Sequence, residues 1–294
     1  MQKKSNLLLT MAAFASILAL WGTQSLAQTA KNEPAAETGE TPGPSPAETS
    51  ENTPQAPVIA PQAERLIREM GDYLKTAKAF GFHADVMYDD FLASGQKVQF
   101  TATSDVAIRR PDRISFDFEG DGARKRFWYD GQTVTLYDKV HQVYGTEKTP
   151  SGIDATLEYV TDQLGFTPPL SDFLYEDPGK VLLEEVIFGV DLGESDVGGE
   201  NCRHLAFVQP DIDWQIWIEQ GKQRVPRKLV ITYKKRAGVP EYIALLSDWD
   251  FTTPIADSLF SAQIPLGAEA ISFLKLKPVE EPEKANSAEP PKNQ

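Results

Sequence analysis

Residues 96–119 read QKVQFTATSDVAIRRPDRISFDFE, and this stretch indicates the fold class most clearly. Apolar side chains alternate with polar ones in both halves: Val98, Phe100 and Val106 fall on one side of the first half, and Phe116 belongs to the same pattern in the second. A period of two residues indicates β-strands with one buried face and one solvated face. The sequence therefore predicts two neighbouring strands of a sheet that packs against a core on one side.

The same alternation continues on both sides of this stretch and predicts a mainly β protein with a few helices, in the α+β class. The Asp130-Gly131 pair is typical of a hairpin turn, because glycine tolerates a positive φ. The predicted strands cover about 82–92, 96–109, 113–119, 124–130, 132–138, 140–146, 186–195, 202–208, 213–219, 225–235 and 240–250.

Two parts of the chain carry helical periodicity instead. An amphipathic helix is predicted over 61–79, with Gly81 ending it. Between the two groups of strands, 151–185 shows short helical segments, with Ser151 as the expected N-cap of the first and Asp177 starting the last. We name residues 151–185 the helical insertion and expect it to cover the concave face of the sheet.

The N-terminus has the features of a secretory signal peptide, residues 1–27. Lys3 and Lys4 precede an apolar stretch, and small residues before Ala27 predict cleavage after that residue. The alternative is a retained membrane anchor, but the apolar stretch is shorter than the roughly 20 residues of a spanning helix. No later segment is apolar enough to span a bilayer, so the mature protein is expected to be exported and soluble.

Composition divides the rest of the chain into three parts. Residues 28–60 are rich in Pro, Glu, Ala, Thr and Ser and contain no aromatic residue, so we predict a disordered linker. Residues 276–294 have a similar composition and are predicted to be a disordered tail. The remaining 61–275 are long enough to form one sizeable domain.

The charge and the cysteine content exclude some classes of function. The net charge of −14 disfavours nucleic acid and anionic membrane surfaces as partners. Cys202 is the single cysteine of the sequence, so no internal disulfide can form. It is interpreted as a small, half-buried strand residue; a reactive thiol is the alternative, with His204 beside it.

Sequence patterns for catalysis are missing. The chain has no nucleophile elbow, phosphate-binding loop, dinucleotide fingerprint or zincin helix. His83, His141 and His204 lie on separate strands without ligand-like spacing; the alternative is a metal site formed when the fold brings them together. We therefore predict no catalytic residue, no metal site and no cofactor, with a hydrolase built from dispersed residues as the weakest alternative.

The inward-facing strand residues raise the question of what fills the concave face. A curved sheet of about eleven strands encloses a large volume, and one helix and the helical insertion either fill it or leave an apolar cavity. Both alternatives stay open. If a cavity exists, the residues expected to line it are Val98, Phe100, Phe116, Phe118, Val134, Leu136, Trp214, Ile216, Leu229 and Ile231.

Several segments together resemble the periplasmic lipoprotein-carrier superfamily, which includes LolA, LolB and the regulator RseB. The last of them is similar to the end of a family of predicted periplasmic proteins of unknown function within that superfamily. The segments are RPDRISF at 110–116, WYDGQ at 128–132, LYD at 136–138, HQVY at 141–144, WQIWI at 214–218, RKLVITY at 227–233 and LFSAQIPLGA at 259–268.

This resemblance implies an unclosed antiparallel half-barrel of about eleven strands with a helical lid, in a monomeric periplasmic protein. It implies binding of a lipid, an acyl chain or another hydrophobic small molecule. A basic residue near the first hairpins helps to hold the lid in LolA, and Arg110 or Arg113 corresponds to it. The alternative is a non-enzymatic regulatory module that recognises an envelope protein with the same concave face.

Overall fold

The computed structural model describes residues 58–276, so the predicted leader with its cleavage site at Ala27 and most of both predicted disordered segments lie outside the described residues. The described chain forms thirteen strands. Their bounds are β1 Val58–Ile59, β2 Ala79–Phe91, β3 Lys97–Arg109, β4 Arg113–Gly120, β5 Ala123–Tyr129, β6 Thr133–Asp138, β7 Val143–Lys148, β8 Phe188–Val197, β9 Glu200–Val208, β10 Ile212–Glu219, β11 Pro226–Tyr233, β12 Glu241–Asp250 and β13 Glu269–Ala270.

All thirteen strands belong to one open sheet, in the order β1-β8-β9-β10-β11-β12-β2-β3-β4-β5-β6-β7-β13. The strands from β2 to β12 pair antiparallel, which confirms the predicted half-barrel of about eleven strands. Two-residue strands β1 and β13 add in parallel at the two edges. Val58–Ile59 lies in the segment predicted to be disordered, so the folded part begins before residue 61.

The first helix, α1 (Pro61–Thr76), ends earlier than predicted. The chain becomes extended at Ala77, and Ala79 already pairs with Arg109 in the sheet. The prediction that Gly81 ends the helix is wrong. Gly81 lies inside β2, where a Cβ atom would be 3.2 Å from the Val106 carbonyl oxygen. Strand pairing with β3 therefore decides where the helix stops.

The helical insertion contains α2 (Ile153–Leu164), a 3-10 turn (Ser171–Phe173) and α3 (Pro178–Leu183). The predicted cap at Ser151 is wrong, because the N-cap of α2 is Gly152 and no side chain caps it. The Ile153 amide donates to the Pro111 carbonyl at 3.2 Å, so the β3–β4 turn satisfies one amide of the helix end that a serine would satisfy locally. Asp177 caps α3 by accepting a hydrogen bond from the Lys180 amide.

The core lies between the concave face of the sheet and the helices. Alternate residues of the central strands point into it, and α1 contributes Leu66, Ile67, Met70 and Leu74. Helix α1 packs against α3 through two glycines: a Cβ atom at Gly71 would lie 2.5 Å from the Gly179 nitrogen. Only glycine allows the two helix backbones to come this close.

This contact leads to a first prediction. Gly71→Ala adds a methyl group against the backbone of α3, so the two helices must move apart. We expect the free energy of unfolding to fall by about 1–3 kcal/mol, although alanine has the better helix propensity. Urea unfolding followed by circular dichroism measures the change. Asp72→Ala, at the neighbouring exposed position of α1, is the control and should change stability by less than about 0.5 kcal/mol. A Gly71→Ala variant as stable as the wild type would show that the helices are not tightly docked.

Candidate functional site

One row of side chains crosses the concave face from β9, near one edge of the sheet, to the central β2–β3 hairpin. Consecutive strands pair these residues directly in register, and each lies on the inward face of its strand. We name the set the aromatic row: Phe207 of β9, Trp214 of β10, Ile231 of β11, Tyr242 of β12, Tyr88 of β2 and Phe100 of β3.

Burial changes along the aromatic row. Trp214 and Ile231 are fully buried, and Trp214 stacks on Phe207 with 4.2 Å between ring centroids. Tyr88 and Phe100 are only partly buried, and their rings stack at 5.7 Å. The row therefore connects the interior of the half-barrel with a partly exposed apolar end.

The neighbouring row on the same face has much smaller side chains near its centre. Ala244, Val86, Ala102 and Gly120 lie next to one another in register across β12, β2, β3 and β4. Small residues here leave space above the sheet for side chains from another element. Leu170, Phe173 and Leu174 of the helical insertion belong to the same continuous core and are fully buried.

The ten residues expected to line a cavity all keep the predicted inward parity. Seven of them are buried in the core: Phe116, Phe118, Val134, Trp214, Ile216, Leu229 and Ile231. Leu136 packs against this core, whereas Val98 and Phe100 are partly exposed near the β2–β3 hairpin. The register shifts in β10 and β12 lie beyond these residues. A role in lining a ligand cavity stays a prediction for all ten.

The two candidate arginines of the β3–β4 turn have different contacts. Arg110 is partly buried and donates to the Leu174 carbonyl at 3.1 Å and the Tyr175 carbonyl at 2.8 Å, both in the helical insertion. Burial lowers the pKa of Arg110, and the charges of Asp154 and Glu176 oppose that shift. Arg113 instead pairs with Asp112 at 2.9 Å, within the turn itself. The structure thus places Arg110 against the helical insertion.

A buried polar group in the helical insertion was missed by the sequence analysis. Asp172 is 1% exposed, and within residues 58–276 its carboxylate oxygens have no hydrogen-bond partner from another residue; its own backbone amide is the one donor that acts on the carboxylate. Burial raises the pKa of Asp172 to about 7. The signal in the sequence is an aspartate inside an apolar run, between Leu170 and Phe173, but only the fold shows that the run faces the core.

Two tyrosines lie within electrostatic reach of this carboxyl group. Burial raises the pKa of Tyr175, and the charge of Asp172 raises it further. Tyr242, in the aromatic row, also has a raised pKa, chiefly through burial and then through Tyr233 and Asp172. Neither the Tyr175 nor the Tyr242 hydroxyl finds a hydrogen-bond partner in the described part of the chain. Asp172 thus acts electrostatically on two hydroxyls in a mainly apolar interior.

The histidines and the cysteine lie away from this interior. His83 binds Asp105 at 2.7 Å, His141 binds Asp138 at 3.0 Å, and His204 stacks on Trp217 at 3.9 Å on the convex face. Cys202 is fully buried beside Trp217 rather than half-buried, and burial raises the pKa of its thiol to about 11. At neutral pH the thiol stays protonated, which does not suit a nucleophile.

The sequence matches the model of a family described as predicted periplasmic protein (DUF2092) over residues 63–274. The chain belongs to this family, which confirms the sequence-based identification of a family of predicted periplasmic proteins. A comparison with curated proteins finds none that matches this sequence. Over residues 58–276, the helices are too short or too polar to cross a membrane.

Several solved structures are similar to this chain. The lipoprotein LppX of Mycobacterium tuberculosis is 16% identical, with a TM-score of 0.37 and coverage of 67% of this chain and 99% of LppX. MucB is 15% identical, with a TM-score of 0.40 and coverage of 69% and 64%. A LolA-superfamily protein from Nitrosomonas europaea is 9% identical, with a TM-score of 0.33 and coverage of 68% and 98%. These similarities concern the fold and do not identify a ligand.

Proposed function

We propose that this protein binds a lipid, an acyl chain or another hydrophobic ligand on the concave face of the half-barrel, as a non-enzymatic periplasmic carrier. The observation that carries the proposal is the aromatic row, which runs from buried Trp214 to partly exposed Tyr88 and Phe100. An apolar chain that follows this row keeps contact with aromatic surface from the open end to the interior. Burial of its methylene groups supplies the binding free energy, about 0.8 kcal/mol for each.

Binding in the interior requires the helical insertion to move. Leu170, Phe173 and Leu174 occupy the core in the described structure. A ligand that enters the interior must therefore displace these side chains. The two hydrogen bonds from Arg110 hold the backbone at Leu174 and Tyr175 against the sheet. A ligand that replaces the displaced apolar contacts shifts the equilibrium towards the open arrangement. The ten predicted lining residues then become its binding surface.

The proposal includes export through the leader. We expect the mature chain to begin at Gln28, after cleavage behind Ala27, and to occur as a monomer in the periplasmic fraction. N-terminal sequencing of the protein from its own envelope tests this expectation. An N-terminus at Met1 in a membrane pellet would contradict it.

The binding proposal is tested with the protein as purified from its own envelope. Native mass spectrometry should show a bound hydrophobic molecule, and a hydrophobic fluorophore should bind the delipidated protein with a saturable signal that fatty acyl chains displace. A protein that carries no ligand, binds no fluorophore and instead captures one envelope protein would favour the regulatory alternative. Turnover of a hydrophobic ester by the purified protein would contradict the non-enzymatic part of the proposal.

Arg110 provides a second prediction. Arg110→Gln removes the two charged hydrogen bonds to the helical insertion, each of which contributes about 1.5–3 kcal/mol. Because the insertion then opens more easily, fluorophore association should accelerate about tenfold or more. Stopped-flow fluorescence measures the rate. Arg113→Gln, in the same turn but paired with Asp112, is the matched control and should leave the rate within about twofold of the wild type. Equal rates in both variants would show that Arg110 does not restrain the insertion.

A further inference from the structure

A buried carboxyl group without a partner from another residue is costly, and the backbone amide of Asp172 itself offsets only part of the burial. Within residues 58–276, Asp172 forms no ion pair with a lysine, arginine or histidine and accepts no hydrogen bond from a side chain. Arg110 of the β3–β4 turn contacts the same segment, but it uses its terminal nitrogens on the carbonyls of Leu174 and Tyr175. Polar groups in protein interiors are nearly always satisfied by protein, water or a ligand.

Acidic groups act on Tyr175, three residues from Asp172, and the core holds further polar groups without hydrogen-bond partners among the described residues. Tyr175 lies within reach of the charges of Asp172, Glu158, Asp154 and Asp162, all of which raise its pKa after the larger effect of burial. The Ser171 hydroxyl and the Trp214 indole nitrogen are also buried without hydrogen-bond partners in the described chain. Glu158 and Asp162 are exposed, and Arg110 donates to the Tyr175 carbonyl, so the preference for a cation depends on Asp172 itself: a buried carboxylate without a cationic partner favours one.

The position of Asp172 relative to the aromatic row indicates the shape of the ligand. Tyr242 belongs to the row, and its hydroxyl lies within electrostatic reach of the Asp172 carboxylate. Tyr242 is the fourth of the six residues of the row, so a ligand with its polar end at this group would extend its apolar chain from there along one part of the row. Tyr233, on the neighbouring strand, adds a further hydroxyl beside Tyr242.

We propose that Asp172 binds a protonated amine at the polar end of an amphipathic ligand, whose apolar chain lies along the aromatic row. This inference rests on the proposed function and specifies the class of its ligand. The ammonium group donates hydrogen bonds to the carboxylate, and the Tyr175 and Tyr242 hydroxyls complete its shell. The ammonium replaces the proton that the buried carboxyl otherwise holds, so binding releases that proton below about pH 7.

The test compares three probes of equal chain length: dodecylamine, 1-dodecanol and dodecanoate. Each displaces a hydrophobic fluorophore from the delipidated full-length protein at about pH 8. We expect dodecylamine to bind about tenfold or more tightly than dodecanol, because charged hydrogen bonds are stronger than neutral ones, and dodecanoate to bind most weakly because it meets a like charge. The amine preference should decrease as the pH falls from about 8 to 5.5, because Asp172 takes up its proton.

Two variants separate a binding role from a structural one. Asp172→Asn keeps the shape of the side chain and should reduce the preference for dodecylamine over dodecanol to less than about twofold, and Tyr242→Phe should reduce it about threefold. Glu176→Gln, which changes an exposed carboxylate four residues from Asp172, should keep the full preference.

The outcomes distinguish the two proposals. If the fluorophore does not bind the wild type at all, the proposed function fails and this inference fails with it. If the fluorophore binds but dodecanoate competes as well as dodecylamine, or Asp172→Asn keeps the amine preference, only the amine site is overturned. A preference that depends on Asp172 and on pH supports both.

Discussion

Phe116→Ala is expected to lower the free energy of unfolding by about 3–5 kcal/mol, the usual effect of removing a large aromatic side chain from a packed core. Phe116 is fully buried, and its ring stacks on Phe127 with 4.7 Å between centroids and 6° between planes. Phe127 in turn contacts Phe166 of the helical insertion edge to face at 6.2 Å. The truncation therefore opens a void where the sheet meets the insertion. Urea unfolding followed by tryptophan fluorescence measures the loss.

Phe100→Ala is the matched control, because Phe100 has the same inward parity on the neighbouring strand but is only partly buried. We expect it to cost about 1 kcal/mol in stability and to weaken fluorophore binding, since Phe100 lies at the open end of the aromatic row. A loss below about 1 kcal/mol for Phe116→Ala would show that its ring borders a cavity rather than a packed core. Phe116→Glu is a poor probe of binding, because a carboxylate at a fully buried position would unfold the domain.

Asp172 is expected to make the stability of the protein strongly dependent on pH. Its pKa is about 7 in the folded protein, whereas a free aspartate has a pKa of about 3.9. Between these values the folded state holds a proton that the unfolded state has released, so the free energy of unfolding decreases as the pH rises. The contribution of this single group is about 1.4 kcal/mol for each pH unit, lost mainly between about pH 4 and pH 7.

Asp172→Asn removes this contribution, because the amide does not titrate. Urea unfolding at several pH values should give a flatter curve for the variant than for the wild type, and above about pH 7 the variant should be the more stable protein. The difference between the two curves isolates Asp172 from Asp154 and Asp162, whose pKa values are also raised by burial. Glu176→Gln should follow the wild-type curve closely. Parallel curves for Asp172→Asn and the wild type would mean that the carboxyl group is ionised and solvated near neutral pH.

Local patterns in the sequence were sufficient to predict the strands β2 to β12 and which of their faces point inward. The alternation in 96–119 predicted which side chains of β3 and β4 point inward, and Asp130-Gly131 forms the predicted turn, with Gly131 at a φ of 93°. These features depend on neighbouring residues, which the sequence shows directly. The helix ends were predicted less well, because residues distant in sequence bind the backbone at both places. Gly81 pairs with Ala107 of β3, and the Ile153 amide donates to Pro111 of the β3–β4 turn, whereas Ser151 caps nothing.

Sequence patterns alone were enough to predict a sheet of about eleven strands, a helical insertion over 151–185 and the inward orientation of the ten proposed lining residues. Tertiary structure alone decided that β12 pairs with β2, which joins the two groups of strands and aligns Trp214, Tyr242 and Phe100 in one row. Only the tertiary structure shows that Arg110 donates to the helical insertion while Arg113 pairs with Asp112, although both lie next to the same turn. The raised pKa of Asp172 is also a result of the tertiary structure, because it follows from burial by long-range packing that no local sequence pattern encodes.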